Sequence, residues 1–312
     1  MQPKSWVIGS RGLLGGALTA TLESRYRDLF QPSKRFEWNH HDFVVDQIRA
    51  EVARFAKSII PSQCWEIYWA AGPSTMHSPL DSLTTESNYL STLLEALGNQ
   101  PQLLDYPGSF CFSSSAGAIY SGSSASILNE ESSIAPTTDY GRQKLIQEEL
   151  VSQSKLAQSG TSILLARISN LYGIQDSNVI PKGLISILTQ RAVHRQPTNI
   201  FVPLDTLRDY IWSQDAAEIL VESLKRTKSH IQPIKKIVSS EHPTTVAELI
   251  RTIYQLTHTR PRYIHSFQPD KAKAYQQQFR FQSIVYPDLL ELRGTSLRCG
   301  LSKMIAAIKR KF

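Results

Sequence analysis

The sequence predicts an α/β protein, a doubly wound parallel sheet followed by a smaller, mixed α/β part. Three observations carry this. Short apolar runs alternate with longer stretches of helical periodicity through the first half; a glycine-rich turn follows directly on the first apolar run; and the texture changes after Gly173 to short segments broken by prolines. In chain order, the apolar runs at 6–9, 28–31, 64–70, 108–113 and Ser162–Ile168 read as strands, each compact and apolar enough to be covered on both faces. The stretches Leu13–Ser24, 43–57, 83–97 and 139–159 between them have the length of crossover helices. Beyond Gly173, eight prolines from Pro181 to Pro287 interrupt the pattern and leave helices such as the one over 245–257. This divides the chain into a first domain at 1–173 and a second at 174–312, with a segment around 206–240 returning to the first. With no repeat and no long linker, the two are expected to pack around a cleft.

Composition narrows the classes. A chain of 312 residues, 41% hydrophobic and 20% charged, can bury its core without disulfide or metal staples. Its 34 Lys+Arg against 27 Asp+Glu give a formal charge of +7, which suits nucleic acid or a phosphorylated small molecule alike. No RNA- or DNA-binding signature is present, so nucleic acid is not the expected partner. No apolar run reaches the roughly 18 residues of a membrane span, and the first residues lack the layout of a signal peptide, so a cytosolic protein without membrane contact is expected. Cys64, Cys111 and Cys299 are odd in number with no C-x-x-C pair, and read as reduced, mostly buried thiols. His40 and His41 are adjacent rather than helically spaced, with no H-E-x-x-H pattern, so no metal site is expected. The basic end Lys309-Arg310-Lys311 follows an amphipathic stretch and reads as a solvated helix terminus.

Two constellations carry chemistry. Gly9-Ser10-Arg11-Gly12-Leu13-Leu14-Gly15 stands between the first strand and the first helix. A dinucleotide pyrophosphate must approach N–H groups at a helix N-terminus, where side chains would block it, so glycines at this spacing point to a nucleotide site. The second is Tyr140-Gly141-Arg142-Gln143-Lys144, preceded by Ser113-Ser114-Ser115 at a strand end. At i and i+4, Tyr140 and Lys144 project from one helix face. A phenol with a pKa of about 10 shuttles protons poorly at neutral pH; an adjacent ammonium lowers that value, and a serine hydroxyl can hold the reacting oxygen. A Y-x-x-x-K pair alone is commonplace, but here it follows a glycine turn and a serine run in order.

Further motifs join these: Ala70-Ala71-Gly72 after the run 64–70, SSSAGAIY at 113–120, R-x-x-N-x-Y-G at 167–173, Asn178-Val179-Ile180-Pro181, and Arg208-Asp209-Tyr210-Ile211 ahead of Asp215-Ala216-Ala217. The ordered set resembles the extended short-chain dehydrogenase/reductase family, in particular its nucleotide-sugar epimerase, dehydratase and reductase branch. The resemblance implies a Rossmann-type sheet with a C-terminal substrate cap. It makes Tyr140 the catalytic acid/base and Lys144 the residue that lowers its pKa and binds the nicotinamide ribose. The third member is a serine: Ser115, 25 residues before Tyr140, or Ser114, since the segment to Tyr120 is one residue longer than in many relatives. Gly9, Arg11, Gly12, Leu13, Leu14, Gly15, Ala70, Ala71 and Gly72 fall on cofactor-binding positions, and Asp42 resembles the adenine contact. Asn170, Asn178 and Arg208 match contacts to a nucleotide diphosphate, with Arg280 as a second arginine. The bland alternatives are that Asn170 satisfies buried backbone and that Arg208 pairs with Asp205 or Asp209. The resemblance also implies a homodimer through the helices at 83–97 and 139–159.

Cofactor choice is written after the second strand, where a carboxylate favours NAD and positive charge accommodates the 2′-phosphate of NADP. Here Ser33-Lys34-Arg35 follows, without an acid, and Arg11 adds a cation nearby. NADP(H) is favoured, with NAD(H) as the alternative. Dehydratases of the branch carry an Asp-Glu pair after the catalytic serine or threonine, where this chain has Ala116-Gly117; its 3,5-epimerising reductases add a cysteine and a histidine that are missing. What remains is redox at one carbon of a nucleotide-diphosphate sugar: a 4-keto reductase with exchangeable NADPH, or a 4-epimerase with retained NAD. A catalytically silent binding or regulatory protein would keep the fold but not the set Ser115, Tyr140 and Lys144.

Overall fold

The computed structural model describes residues 2–310 except 26, 39, 77, 175–181, 229, 231, 260–261 and 266–277. The first part runs β1 (Lys4–Ile8), α1 (Leu13–Ser24), β2 (Asp28–Leu29), α2 (His41–Ser58), β3 (Trp65–Trp69), α3 (Leu80–Gly98), α4 (Pro101–Asp105), β4 (Gly108–Ser115), α5 (Ala116–Ile119), α6 (Asp139–Ser152), α7 (Lys155–Gln158) and β5 (Ser162–Ile168). Then follow β6 (Asn170–Tyr172), α8 (Leu184–Val193), β7 (Thr198–Ile200), β8 (Leu207–Arg208), β9 (Tyr210–Trp212), α9 (Ser213–Thr227), β10 (Ile234–Val238), β11 (Thr244–Thr245), α10 (Val246–Thr257), β12 (Tyr263–His265) and, after a 3-10 turn at Pro287–Leu292, α11 (Leu297–Lys309).

Six strands form one parallel sheet in the order β10-β5-β4-β3-β1-β2. The chain steps from β1 outward to β2 and then crosses back to β3, so the strand order reverses between β1 and β3, and the crevice beyond their C-terminal ends is where an open sheet binds ligands. Side chains alternate across it. Trp6, Ile8, Phe110, Phe112, Ile163 and Leu165 pack on the face covered by α2 and α3, while Val7, Tyr68, Cys111, Leu164 and Ala166 pack on the face covered by α1 and α9. Gly108 opens β4 because it pairs with Trp65, whose indole would lie 2.0 Å from a Cβ there. A separate core joins α8, α10 and α11 through Leu188, Leu249, Ile253, Leu301 and Met304, with Tyr172 and Trp212 closing it. A third cluster lays Phe279 and Phe281 against Ala116 and Ile119 of α5.

Several expectations are corrected. The helix expected over 139–159 ends at Ser152, and Ser154 caps a new turn by accepting from Ala157 N. The strand expected over 28–31 stops at Leu29, with Phe30 N still donating to the Ser5 carbonyl at 2.8 Å. Further on, α2 holds Ser33 through Glu51, and the Lys34 and Arg35 carbonyls accept from Gln47 Nε2 at 3.1 and 2.9 Å. Of the cysteines only Cys111 is buried; Cys64 is half-buried and Cys299 exposed. The strand expected over 108–113 runs on to Ser115, so the serine run forms its C-terminal end, with Ser113, Ser114 and Ser115 paired to Ala166, Arg167 and Ile168.

Candidate active site

The glycine turn sits at the β1/β3 crevice. Gly9 has φ +92°, and a Cβ there would lie 2.6 Å from the Ala70 carbonyl oxygen; a Cβ on Gly15 would lie 2.1 Å from the Gly9 oxygen. Only glycine allows strand, turn and helix to approach this closely. Gly12 donates to the Gly9 carbonyl at 2.9 Å and serves as N-cap of α1, with no side-chain cap and no acid in the first turn. The first N–H groups of α1 are therefore available to an anion, and the segment fits a dinucleotide pyrophosphate. Leu14 is buried and Leu13 half-buried, anchoring the turn, while Arg11 is exposed and lines a cleft of about 370 Å³ with Gly12, Leu13, Ile174 and Ser213.

Across the crevice, the loop after β2 is fixed through its backbone and Ser33, which also donates its hydroxyl to Glu51. The Lys34 and Arg35 side chains are left exposed. Among the described residues, neither these two nor Arg11 belongs to an ion pair with a carboxylate, so their charge is free to meet an anion. Asp42 falls in the first turn of α2, and its side chain lies outside what the structure describes.

At the C-terminal end of β4, Ser115 hydrogen-bonds the Tyr140 phenol. Tyr140 follows directly on Thr138-Asp139 at the start of α6, where Thr138 Oγ1 accepts from Gly141 N at 3.1 Å. Gly141 is required next to it, because a Cβ would lie 2.5 Å from the Ala118 oxygen as α6 packs on α5. Lys144 is buried one turn on, its ammonium donating to Gln147 Oε1 at 2.9 Å and lying 5.7 Å from the Tyr140 ring centroid and 5.2 Å from that of Phe112. Burial pushes the phenol well above its usual range and Glu86 adds to this, while the Ser115 hydrogen bond pulls the other way. Burial lowers the Lys144 ammonium, opposed by Glu86 and Glu148.

The two candidate serines are separated by their partners. Ser114 is buried and donates to Glu148 Oε1 at 2.7 Å. Glu148 is paired with Arg167, Nη2 to Oε2 at 2.7 Å and Nε to Oε1 at 3.0 Å, and Arg167 Nη1 donates to the Tyr120 hydroxyl at 2.5 Å. Ser114, Tyr120 and Arg167, all prominent in the sequence motifs, therefore belong to a buried network beneath the site. Ser115 alone of the two faces Tyr140.

Sequence reasoning missed the polar seam between α3 and α6. Ser87 Oγ accepts from Gln143 Nε2 at 2.7 Å and from Gln147 Nε2 at 3.0 Å. Beside it, Glu86 is 8% exposed, and its Oε1 accepts from Ser74 N at 2.6 Å. The signal was available: Leu83, Glu86, Leu90, Leu93 and Leu97 lie on one helical stripe, so Glu86 is an acid on the buried face.

The proposed diphosphate contacts gather on the cap side. Asn170 is exposed, and both its backbone N–H and its Nδ2 donate to the Asp209 carbonyl, at 3.1 and 2.8 Å. Asp209 itself is fully buried and accepts from Ser169 Oγ at 2.6 Å and from Ser240 N and Oγ at 2.8 and 2.9 Å, so its carboxylate is committed to those groups rather than to Arg208. The Arg208 guanidinium is half-buried, donates to the Leu207 carbonyl at 3.0 Å and lies 4.7 Å from the Phe279 ring centroid. Arg280 is exposed between the buried Phe279 and Phe281. The aromatic pair packs on α5, directly after Ser115. Asn178 lies outside the described residues.

The sequence model described as the NAD dependent epimerase/dehydratase family matches residues 6–235. The dTDP-4-dehydro-6-deoxyglucose reductase of Escherichia coli is 32% identical over 142 residues, 46% of this chain and 43% of the relative. The UDP-glucose 4-epimerase 4 of Oryza sativa subsp. japonica is 35% identical over 129 residues, 37% of this chain and 35% of the relative, so the matches span less than half the length of these curated relatives. The UDP-glucose 4-epimerase of Thermotoga maritima, solved with UDP-glucose, superposes with a TM-score of 0.78 at 18% identity, covering 99% of both chains, a likeness of fold.

Proposed function

The chain belongs to the NAD dependent epimerase/dehydratase family, and on that premise we propose that it is an NADPH-dependent 4-keto reductase of a nucleotide-diphosphate sugar. The observation that carries this is the Ser115–Tyr140 hydrogen bond, with the buried Lys144 one turn on. When bound, a reduced nicotinamide supplies the hydride for the ketone carbon. Ser115 holds the carbonyl oxygen, and Tyr140 gives it a proton as charge develops there. Lys144 offers its ammonium to the ribose hydroxyls, and the α1 N-terminus with Gly9, Gly12 and Gly15 receives the pyrophosphate. Lys34 and Arg35 receive the 2′-phosphate. Arg208, Asn170, Asn178 and Arg280 form the set offered to the sugar nucleotide's diphosphate. Ala116 and Gly117 put no acid where elimination of a hydroxyl would need one. A homodimer through the outer faces of α3 and α6, where Ile146 is half exposed, belongs to the same reading.

A second reading, a 4-epimerase with retained NAD, uses the same three catalytic groups, and the match to the rice epimerase favours it. The test is to denature the purified protein, identify any released dinucleotide by mass spectrometry, and titrate the native protein with NADPH and NADH. An empty protein that prefers NADPH and then reduces 4-keto nucleotide sugars supports the reductase. Tightly retained NAD overturns it in favour of the epimerase.

A further inference from the structure

Residues 278–285 form a strap that links three parts of the molecule. At its start Phe279 N donates to the Leu207 carbonyl at 3.2 Å, and the Phe279 ring centroid lies 4.7 Å from the Arg208 guanidinium. Arg208 donates to the same carbonyl, so the strap makes one wall of the arginine's seat. In its middle the strap meets Leu128, from the loop between α5 and α6, which donates to the Arg280 carbonyl at 2.8 Å and accepts from Gln282 N at 2.9 Å. At its end, Glu130 from that loop and Lys236 from β10, the edge strand of the sheet, close a polar knot around Ser283. Glu130 Oε1 accepts from Ser283 Oγ at 2.5 Å and from Ile237 N of β10 at 2.8 Å, while Oε2 accepts from Ile284 N at 2.9 Å. The fully buried Lys236 ammonium donates to Ser283 Oγ at 3.0 Å and to the Val285 carbonyl at 2.5 Å. Glu241 Oε1 takes the Ser283 N–H at 2.8 Å.

Covering apolar surface does not call for such a knot. Phe279 and Phe281 are both buried, clustered with Ala116 and Ile119 of α5, and hold the strap by area alone. Burying an ammonium opposes folding unless directional bonds offset it, and what those bonds add to an apolar contact is one fixed position along the chain. Here that position is four residues from the ring that Arg208 faces. We propose that Glu130, Ser283 and Lys236 are positioning residues that fasten the strap, seat Arg208 through Phe279, and so set how tightly the site grips the diphosphate of a sugar nucleotide. This rests on the nucleotide-sugar reading, in which Arg208 meets that diphosphate. With the knot open, the strap keeps its apolar packing and its main-chain bonds to Leu128 and Leu207, which fix it less firmly, and the guanidinium spreads over several orientations. The loss falls on binding, because Ser115, Tyr140 and Lys144 stand on β4 and α6 and keep their geometry.

Ser283→Ala removes the hydroxyl that Lys236 and Glu130 share and leaves the backbone bonds to Glu130 and Glu241 in place. UDP and dTDP are the probes, titrated by calorimetry into the full chain. Affinity for the diphosphate that the parent binds better should weaken by about fivefold, KM for the sugar nucleotide should rise in step, and kcat and NADPH affinity should stay within about twofold. Because the knot acts through Arg208, adding Ser283→Ala to Arg208→Gln should weaken binding by less than about twofold more, a non-additivity that a general loss of stability would not show. Lys236→Met opens the same knot while leaving Glu130 its three donors, should reproduce the result, and stands in if Ser283→Ala does not fold. Parental affinity in both variants, or losses that multiply with that of Arg208→Gln, overturn the inference alone. An Arg208→Gln chain that binds the diphosphates as the parent does, or a parent that binds neither, overturns the inference together with the reading it rests on. If the parent turns over no 4-keto sugar nucleotide, the reductase reading fails and the titrations alone decide for or against the knot.

Discussion

The two margins of the cleft are held in different ways. On the catalytic side, Ser115, Tyr140 and Lys144 project from β4 and α6, and beneath them Ser114, Glu148, Arg167 and Tyr120 form a buried chain of hydrogen bonds. On the cap side, Asn170 and Arg208 stand on short strands and Arg280 beside Phe279, exposed or half-buried; Asn170 and Arg208 donate to main-chain carbonyls, and Arg208 also lies against an aromatic ring. Rigid elements with satisfied buried networks hold geometry to a fraction of an ångström; short strands and straps hold it less tightly but tolerate change. The comparison teaches that the proposed chemistry is built into the scaffold, while the proposed recognition of a sugar nucleotide is laid on a surface that substitution can reshape.

The largest expected effect breaks the catalytic side alone. Tyr140→Phe removes the proton donor but keeps the ring that packs beside Lys144, so turnover should fall by about 10³-fold or more. Dinucleotide affinity, followed by fluorescence titration, should change little. Retained turnover would sink the assignment of Tyr140.

The adjacent serines sharpen the same contrast within two residues. Ser115→Ala removes the hydroxyl that meets Tyr140, and turnover should drop by about 10²-fold with the unfolding midpoint unchanged. Ser114→Ala removes a partner of Glu148, and should lower stability by about 1 kcal/mol in a denaturant titration while turnover persists, because Arg167 still satisfies that carboxylate. The opposite pattern would exchange their roles.

These contrasts also explain how much was legible in the sequence. The helix Leu13–Ser24 and the strand Ser162–Ile168 stand where periodicity placed them, because their patterns are local and strong. The glycine turn was legible because the close approach of Gly9, Gly15 and Ala70 admits no other residue. The Tyr140–Lys144 spacing was legible because one helix face fixes it. What was missed depends on partners far away in the chain. The loop after β2 is held by Gln47 and Glu51 from α2, the helix at 139–159 is broken by a serine cap, and Arg208 meets the distant Phe279. Glu86 was hidden because a lone acid on an apolar stripe looks like an error of pattern until the facing helix is seen to be polar.

On the cap side the expected effects are smaller. Arg208→Gln keeps a donor for the Leu207 carbonyl and removes the charge, so the KM for the sugar nucleotide should rise by about tenfold with NADPH affinity unchanged. Parallel losses in both would place Arg208 in the scaffold instead.

The smallest expected effect concerns the loop after β2, which shares features of both margins. Its backbone is pinned, since Gln47 binds the carbonyls of Lys34 and Arg35 and Glu51 binds Ser33, yet the two cationic side chains are exposed. Arg35→Ala therefore removes charge without releasing the loop, because the bond to Gln47 uses the carbonyl that alanine keeps. An exposed cation is screened by salt and contributes modestly, so NADPH affinity should weaken by about fivefold to tenfold, with the loss shrinking as ionic strength rises. NADH, which lacks the 2′-phosphate, should change by less than about twofold. Equal losses for both dinucleotides would mean that Arg35 supports the loop rather than reads the phosphate; the preference for NADPH would then lose its support, and the epimerase with retained NAD would become the better account of the same catalytic groups.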